Sequence, residues 1–418
     1  MLTNEIFDHI YNEYTIKRYL NKPEILYRVQ HEFLQIRANI WEEILEKRKM
    51  AGRKVPLKDQ NGDFFWYMTT PPLEANLHNI DFVAKDKLEN LVSEKIQNDI
   101  VMESIIDEAF YSSVIEGAFS TKKRTKELVQ KKDPKNKSEK MILNNYNALM
   151  FILENLDKEL DEDILIQLHK IITVDTLDDD EISEKYRDDM VYVMSENASA
   201  IEPIYVAPKP EDVQGMMDDL FSFIQDESKE NYIHPVIKAW IIHFYFVYIH
   251  PFFDGNGRVA RAISYMYLLK KGYAFFKFFS ITSVLNRKTK KYYKAIKDSE
   301  DYGSDLTYFI SSYSEITNES LTEVIERLYN EVQHEILLEQ LESDEIILNE
   351  RQKKFLSFMK KKESNICTIN EYQKRNKVSY ETARRDMNEL QELGIFKKAK
   401  KGKKFIFKYL GLKGYSEY

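Results

Sequence analysis

The stretch from His250 to Arg261, HPFFDGNGRVAR, brings several chemically active side chains together within twelve positions of the 418-residue chain. His250 is the kind of group that exchanges a proton near neutral pH. Asp254 offers carboxylate oxygens, which Mg²⁺ prefers and usually combines with substrate phosphates. Arg258 and Arg261 are three residues apart, so on a helix they share one face, and their planar guanidinium groups suit phosphate oxygens. Together these side chains predict transfer of a phosphate-linked group.

Two apolar, helix-like stretches flank these residues, one at 239–249 and one at 259–269. Pro251 cannot lie inside a helix, and residues 254–257 (DGNG) have turn chemistry with two glycines that can take a positive φ. The second helix is therefore expected to begin near Asn256, where its first N–H groups are unpaired and its dipole is positive. This predicts a phosphate site at a helix N-terminus. It is not a Walker A loop, because no Gly-Lys-Ser/Thr follows the glycines.

The stretch resembles the signature of the Fic family, His-Pro-Phe-x-(Asp/Glu)-Gly-Asn-Gly-Arg-x-x-Arg, and matches it at every fixed position. The resemblance implies a nucleotidyltransferase that moves AMP from ATP to a hydroxyl of a target protein. It also implies that His250 deprotonates this hydroxyl and that Asp254 holds Mg²⁺. The resemblance further implies that an anion hole is formed by Gly255, Asn256 and Gly257. It implies that the β- and γ-phosphates are held by Arg258 and Arg261. Relatives that transfer a phosphoryl group tend to carry Lys where this chain has Gly257, which favours adenylylation.

A second motif, Ser112-Ser113-Val114-Ile115-Glu116-Gly117, ends a predicted helix at about 98–117. Taken alone, the motif could also be a solvated Glu116 beside a glycine, Gly117, that ends the helix. It also resembles the inhibitory motif of the Fic family, (Ser/Thr)-x-x-x-Glu-(Gly/Asn). That resemblance implies that Glu116 pairs with Arg261 and so occupies the guanidinium that the γ-phosphate needs. Ser112, four residues earlier, would lie on the same helix face.

Two β-prone segments, at 191–193 and 204–208, flank a turn-rich stretch at 195–200 and predict a β-hairpin. In Fic proteins a hairpin at this place is the flap, which grips the target by main-chain pairing. The predicted docking residues are Ile204, Tyr205 and Val206. A plain connecting hairpin is the alternative.

The C-terminal part, residues 350–418, is basic, with 19 Lys and Arg against 8 Asp and Glu in a chain of net charge −8. Capping residues at Asn349 and Ser379 and a final hairpin at 396–410 predict three helices and two strands, which resemble a winged helix-turn-helix. Such a module binds DNA or another protein, and its lysines could simply be solvated. The predicted DNA contacts are Tyr380, Arg384, Arg385, Lys400, Lys401 and Lys403.

Composition favours a mainly α protein, because glycine (12) and proline (10) are scarce and apolar residues reach 43%. Cys367 is the only cysteine, which excludes an internal disulfide and fits a reducing compartment. No apolar run is long enough to cross a membrane, and Met1 to Glu5 lack the features of a signal peptide. A cytoplasmic protein is therefore expected.

The expected organisation is an N-terminal helical region, a Fic core, a helical connector and a winged helix, at residues 1–95, 96–320, 321–345 and 346–418. The main hypothesis is an autoinhibited adenylyltransferase that uses ATP and Mg²⁺. One alternative is another reaction at the same site, such as AMP removal with Glu116 positioning water. The other is a DNA-binding regulator with the Fic core as its sensor. The target and the releasing signal stay open, and a homodimer is implied by family likeness alone.

Overall fold

The computed structural model describes residues 4–32, 40–86, 93–182, 185–193, 205–362, 364–401 and 404–416. The chain forms two compact units. The first comprises Met1–Asp86 and Ile100–Leu321, and the second comprises Lys87–Asp99 and Thr322–Tyr418. Among the described helices, none is long and apolar enough to cross a membrane.

Helices dominate the chain, so the predicted mainly α fold is confirmed. The helices of the first 301 residues are α1 Asn4–Tyr11, α2 Lys22–Glu32, α3 Ile40–Ala51, α4 Pro71–Asp86, α5 Glu94–Ile115, α6 Lys122–Lys131, α7 Lys137–Glu154, α8 Glu162–Thr173, α9 Pro210–Gln225, α10 Pro235–Ile249, α11 Asn256–Lys270, α12 Ile281–Arg287 and α13 Thr289–Asp301. Those that follow are α14 Thr307–Ser343, α15 Glu350–Lys361, α16 Ile369–Asn376, α17 Tyr380–Glu392 and α18 Leu412–Ser416.

The strands form three small antiparallel sheets. The first two are hairpins and the third has the order β5-β7-β6, formed by β1 Arg53–Lys58, β2 Phe64–Tyr67, β3 Tyr192–Val193, β4 Tyr205–Val206, β5 Ile366–Cys367, β6 Phe396–Lys401 and β7 Lys404–Tyr409. The predicted flap hairpin is confirmed as the β3–β4 pair, in which Tyr192 opposes Val206 and Val193 opposes Tyr205. Ile204, the first predicted docking residue, lies outside the described residues.

The centre of the first unit is α10, which is apolar almost all round and buried along nearly its whole length. A helix without a polar face must be covered on every side, since exposing it would place apolar surface in water. Helices α9 and α11 pack against it. Pro235 occupies its first turn, where a missing N–H costs nothing, and His250 ends it in the left-handed conformation. The helix–loop–helix predicted around the signature is therefore present, with α11 beginning at Asn256.

Two helices run across boundaries that the sequence suggested. Helix α5 begins at Glu94, so residues 95 and 96 lie in its first turn. Helix α14 continues unbroken through 37 residues, so the segment 321–345 is for most of its length the second half of a longer helix. Its apolar residues supply the reason, because Leu337 and Leu341 are buried in the core of the second unit.

The second unit has the three helices and the hairpin of a winged helix-turn-helix. Asn349 caps α15 through a capping box with Gln352, and Ser379 caps α17, as their sequence positions predict. Asp386 of α17 is buried and accepts hydrogen bonds from Arg351 Nε (2.9 Å) and from the Tyr372 hydroxyl (2.9 Å). Because a buried carboxylate must be paired, these bonds fix α17 against α15 and α16.

Candidate active site

His250 lies at the turn between α10 and α11, with φ 53° and ψ 58°. Its backbone N–H donates to Phe246 O (3.0 Å), which closes the last turn of α10. Its ring Nδ1 is 3.2 Å from Val247 O, a carbonyl that can only accept, so Nδ1 carries the proton and Nε2 is left with a free lone pair. Burial lowers the pKa of His250, although the bond to Val247 raises it in part. The imidazole is therefore neutral at pH 7 and able to accept a proton at Nε2.

Arg187 anchors the His250 turn through hydrogen bonds, and its sequence context gave no sign of this role. It is buried, and its guanidinium donates to backbone carbonyls of His250 (Nε, 2.8 Å), Asp189 (Nη1, 2.8 Å) and Pro208 (Nη2). Its own N–H donates to Pro251 O (2.9 Å). Because Asp189 and Pro208 lie just outside the two strands of the flap, one side chain ties the flap to the His250 turn. Sequence spacing could not find this role, since every bond goes to main chain.

The turn between the two helices is locked by Asn256. Its side chain accepts from Phe252 N–H (3.0 Å) and donates to Phe252 O (2.7 Å), and it is 2% exposed. Only its backbone N–H is thus left for the predicted anion hole. Gly255 has φ +87°, and an added Cβ would lie 3.0 Å from Thr173 Cγ2, so both conformation and space favour glycine there.

Asp254 and Arg258 form an ion pair on the first turn of α11, with Arg258 Nη2 2.9 Å from Asp254 Oδ2. The Arg258 side chain is fully buried, and its Nη1 also donates to Ile172 O (3.1 Å) at the end of α8. Arg258 Nε is buried without a partner among the described residues. In this arrangement Arg258 orients the Asp254 carboxylate and ties α8 to α11.

Arg261 is buried and faces the end of α5. Its Nε donates to Ser112 Oγ (2.8 Å), and its Nη2 donates to Ser112 O (3.0 Å) and to Glu116 Oε1 (2.8 Å). Burial alone would lower the pKa of Arg261, but the nearby Glu116 carboxylate outweighs it and raises the pKa. The predicted inhibitory residues Ser112 and Glu116 therefore both contact Arg261. Gly117 follows in the left-handed conformation, with φ +85°.

The Glu116 carboxylate also lies directly over Gly257. A Cβ added to Gly257 would be 2.3 Å from Glu116 Oε1 and 3.2 Å from Arg261 Nη1. No side chain larger than hydrogen fits there while Glu116 holds this position. An anionic group is thus already placed against the first turn of α11, where a phosphate was predicted to bind.

His169 of α8 belongs to this site as a support. Its ring stacks on Phe252, with centroids 3.6 Å apart and an angle of 8°, and its Nε2 is 3.1 Å from Asp254 O. Burial lowers the pKa of His169 to about 4, so the ring is neutral. It supports the turn by packing against Phe252. Sequence spacing gave no reason to place His169 against the signature.

Asp254 is the residue of this site that would hold Mg²⁺, through one carboxylate with the rest of the shell from substrate. Among the described residues no group of three metal-ligating side chains comes together, so a cage made of protein alone is not present in that part of the chain. Asp254 keeps 36% of its side chain exposed at the mouth of the turn. Mg²⁺ characteristically binds through one or two carboxylates plus phosphates, which suits this arrangement.

The remaining predicted contact residues belong to the flap and to the winged helix, and Tyr205 among them is only partly exposed. In the flap, Tyr205 donates its hydroxyl to Tyr248 O (2.6 Å), and Val206 is exposed. On α17, Tyr380, Arg384 and Arg385 are exposed. Lys400 is exposed on β6, where Lys401 is the last residue, and Lys403 lies outside the described residues.

Fold and site together define a helical domain of the Fic type, with its signature loop between two buried helices, joined to a winged helix. Comparison with known proteins agrees. Residues 159–268 match the Fic/DOC family, and residues 351–408 match the DeoR-like helix-turn-helix domain. The chain thus carries a Fic/DOC domain followed by a DeoR-like helix-turn-helix domain, which confirms both resemblances found in the sequence.

Curated relatives match over part of their length. A protein adenylyltransferase Fic of Nematostella vectensis is 34% identical over 89 residues, 21% of this chain and 18% of that protein. A protein of the same name from Drosophila yakuba is 26% identical over 178 residues, 42% of this chain and 32% of that protein. The chain thus spans less than a third of the length of these relatives.

Solved structures share the fold. A Fic family protein from Desulfovibrio desulfuricans superposes with a TM-score of 0.53 at 16% identity, over 82% of this chain and 98% of that one. Fic-1 from C. elegans superposes with a TM-score of 0.51 at 18% identity, over 78% of this chain and 93% of that one.

Proposed function

We propose that this protein transfers AMP from ATP to a hydroxyl side chain of a target protein. The observation that carries the proposal is the arrangement at the first turn of α11. There the Gly257 backbone and the Arg261 guanidinium lie against a position that the Glu116 carboxylate already occupies, and this carboxylate interacts electrostatically with His250, whose Nε2 is free. The curated relatives named protein adenylyltransferase support the same reaction.

In the proposed reaction, His250 Nε2 takes the proton of the target hydroxyl. The hydroxyl oxygen then forms a bond to the α-phosphorus of ATP, the bond from that phosphorus to the bridging oxygen breaks, and pyrophosphate leaves. The backbone N–H groups of Asn256 and Gly257 would face the developing negative charge, and such preorganised donors are a large source of rate enhancement. The N–H of Gly255, the third predicted donor, donates to Asp254 Oδ1 (2.6 Å) in this structure. Arg261, once free of Glu116, binds the terminal phosphates. Arg258, the second contact predicted from the sequence, is held inward by Asp254 and Ile172 O in this structure and orients the Asp254 carboxylate.

Asp254 would hold Mg²⁺ beside the substrate phosphates, where the ion would supply positive charge for the leaving pyrophosphate. Arg258 already fixes the orientation of this carboxylate through the 2.9 Å pair. The flap, held to the His250 turn by Arg187, would present the target segment along β4 by main-chain pairing.

Glu116 is proposed to inhibit this reaction. Its carboxylate occupies Arg261 and adds negative charge where phosphate must bind, so ATP binds weakly or in an unproductive position. The alternative role, positioning water for AMP removal, predicts release of AMP from a modified target.

The test of the reaction uses the full chain with Mg²⁺ and ATP labelled at either the α- or the γ-phosphate, in a cell lysate and with purified protein. The assay uses the Glu116→Gly variant, in which Arg261 is free. Adenylyl transfer puts α-label and no γ-label on protein. Label from the γ-phosphate would instead indicate phosphoryl transfer, and no label from either would contradict the proposal.

The lowered pKa of His250 predicts the pH dependence of kcat/KM. The neutral ring is the active form, and burial favours it, so activity is expected to persist as pH falls and to be lost only through the lowered pKa. The acid limb should thus have its midpoint below about 6.5, the usual value for histidine. Rates of the Glu116→Gly variant between pH 5 and 8 would measure it. A midpoint above the usual value would show that His250 is not the base.

A second function, binding of duplex DNA by the winged helix, is favoured by the DeoR-like match and by the exposed face of α17. Arg384 and Arg385 make only surface pairs with Glu381 and Glu389, at 3.7 and 4.0 Å. Surface pairs of this length are weak, so both guanidinium groups can turn to phosphates.

Binding of this kind is expected to weaken as salt rises, because each phosphate contact releases a counterion. The double substitution Arg384→Ala/Arg385→Ala should remove most binding and lower the salt slope by about 2. Lys353→Ala/Lys354→Ala removes the same charge from α15 and should leave binding nearly unchanged. Absence of duplex binding at low salt would contradict the second function.

A further inference from the structure

Helix α5 and the residue just beyond its end carry four polar side chains at intervals of four residues, and each is hydrogen-bonded to another part of the first unit. This spacing places neighbours on one face of the helix. We call this set the polar stripe of α5: Ser104, Glu108, Ser112 and Glu116. The last two contact Arg261, and they are the ones the inhibitory motif contains. The first two lie outside that motif and contact a different part of the fold.

Ser104 and Glu108 contact the segment 278–282, which comprises the last residues before α12 and the first two residues of α12. Ser104 Oγ donates to Phe278 O (2.6 Å). Glu108 Oε2 accepts from the Ser280 hydroxyl (2.8 Å) and from Thr282 N–H (3.1 Å), while Glu108 O accepts from the Thr282 hydroxyl (3.3 Å). The α5 helix is therefore hydrogen-bonded to this segment at two successive turns.

These bonds set the position of α5 because Glu108 has little freedom to leave them. Burial raises the pKa of Glu108, and the donors on Ser280 and Thr282 oppose that rise, so these bonds stabilise the charged form of the carboxylate. A buried carboxylate without partners is costly, which penalises any slip of the helix.

We propose that Ser104 and Glu108 are positioning residues that form a second latch of the inhibitory helix, with the segment 278–282 as its receiver. The proposal rests on the proposed function, because the helix inhibits only if Glu116 blocks ATP. Because Ser104 and Glu108 already hold two turns of α5 in place, pairing of Glu116 with Arg261 requires little further loss of conformational entropy. The strength of inhibition is then a property of both latches.

The test compares the full chain with Ser104→Ala/Glu108→Ala. Loss of the second latch is expected to raise α-label transfer about tenfold, since each lost hydrogen bond weakens the inhibited state by a fewfold. Hydrogen exchange of the amides at 104–116 should become faster by a similar factor. Glu108→Gln keeps a side-chain carbonyl as acceptor and should retain most of the inhibition. Glu103→Ala, which removes a carboxylate on α5 that faces Lys126 instead, is the matched control.

The same double substitution in the Glu116→Gly background tests whether Ser104 and Glu108 act on inhibition or only stabilise the fold. A latch adds nothing once Glu116 is gone, whereas damage to the fold lowers activity in both backgrounds and would overturn the proposal. Unchanged exchange at 104–116 would overturn it as well. If the Glu116→Gly variant labels no protein, the proposed function fails. The hydrogen-exchange measurement then still decides whether Ser104 and Glu108 hold the helix.

Discussion

Replacing Glu116 with glycine is expected to raise AMP transfer by about 10- to 100-fold, the range that loss of one charge-assisted hydrogen bond allows. The bond in question joins Glu116 Oε1 to Arg261 Nη2 at 2.8 Å, and its removal frees that guanidinium for the terminal phosphate. It also removes negative charge from above Gly257. Helix α5 ends at Ile115, so glycine at 116 lies beyond the helix and costs it little. The measurement is incorporation of α-label from ATP into protein.

The control is Glu103→Gly, the same substitution at a position inside α5. Glycine there costs about 1 kcal/mol of helix stability but leaves Arg261 and its partners in place. It should not raise transfer. Glu116→Gln tests charge separately, because the amide can still accept from Arg261 while carrying no negative charge, and an intermediate rate is expected. Equal rates for the parent and Glu116→Gly would contradict an inhibitory role.

Removing the imidazole of His250 is expected to lower transfer by about 10³-fold in the Glu116→Gly background, within the range for loss of a general base. The structural reason is that Nδ1 is engaged with Val247 O while Nε2 is free at the mouth of the turn. Binding of ATP should be largely retained, because the backbone donors and Arg261 belong to α11. Label transfer gives the rate, and equilibrium binding of ATP gives the affinity.

The choice of substitution matters because His250 has φ 53°. Alanine is strained in this conformation, whereas asparagine adopts it readily, so His250→Asn removes the base and keeps the backbone. Both variants should lose activity, and His250→Asn should retain the parent's thermal stability more closely. His78→Ala, an exposed histidine on α4, controls for loss of an imidazole elsewhere. Activity of His250→Asn comparable with the parent would exclude His250 as the base.

Local chemistry accounts for what could be predicted around the signature. A proline, two glycines and flanking apolar runs restrict the backbone by steric rules that act within a few residues, so the helix–turn–helix and the start at Asn256 followed from sequence. The same holds for the caps at Asn349 and Ser379, whose side chains bond to their own helices. The end of α5 near Gly117 belongs to this class too.

Contacts between distant segments of the chain could not be predicted from the sequence. Arg187 reaches the carbonyl of His250, 63 residues away, and a bond to main chain leaves no pattern in the side chains of its partner. The stack of His169 on Phe252 and the bond from Glu108 to Ser280 are likewise made between elements that only packing brings together. The pairing of Glu116 with Arg261 was reached through family resemblance, since 145 residues separate the two.

By itself, the sequence determined which groups are present, the turn that displays His250, and the helix that begins beside it, because these depend on steric and hydrogen-bonding rules within one or two turns of chain. Only the tertiary structure decided how Arg258 is used, since its guanidinium is held inward by Asp254 and Ile172 O. It alone placed the Glu116 carboxylate over Gly257. Both outcomes depend on where buried helices meet, and that is set by filling the core rather than by local spacing.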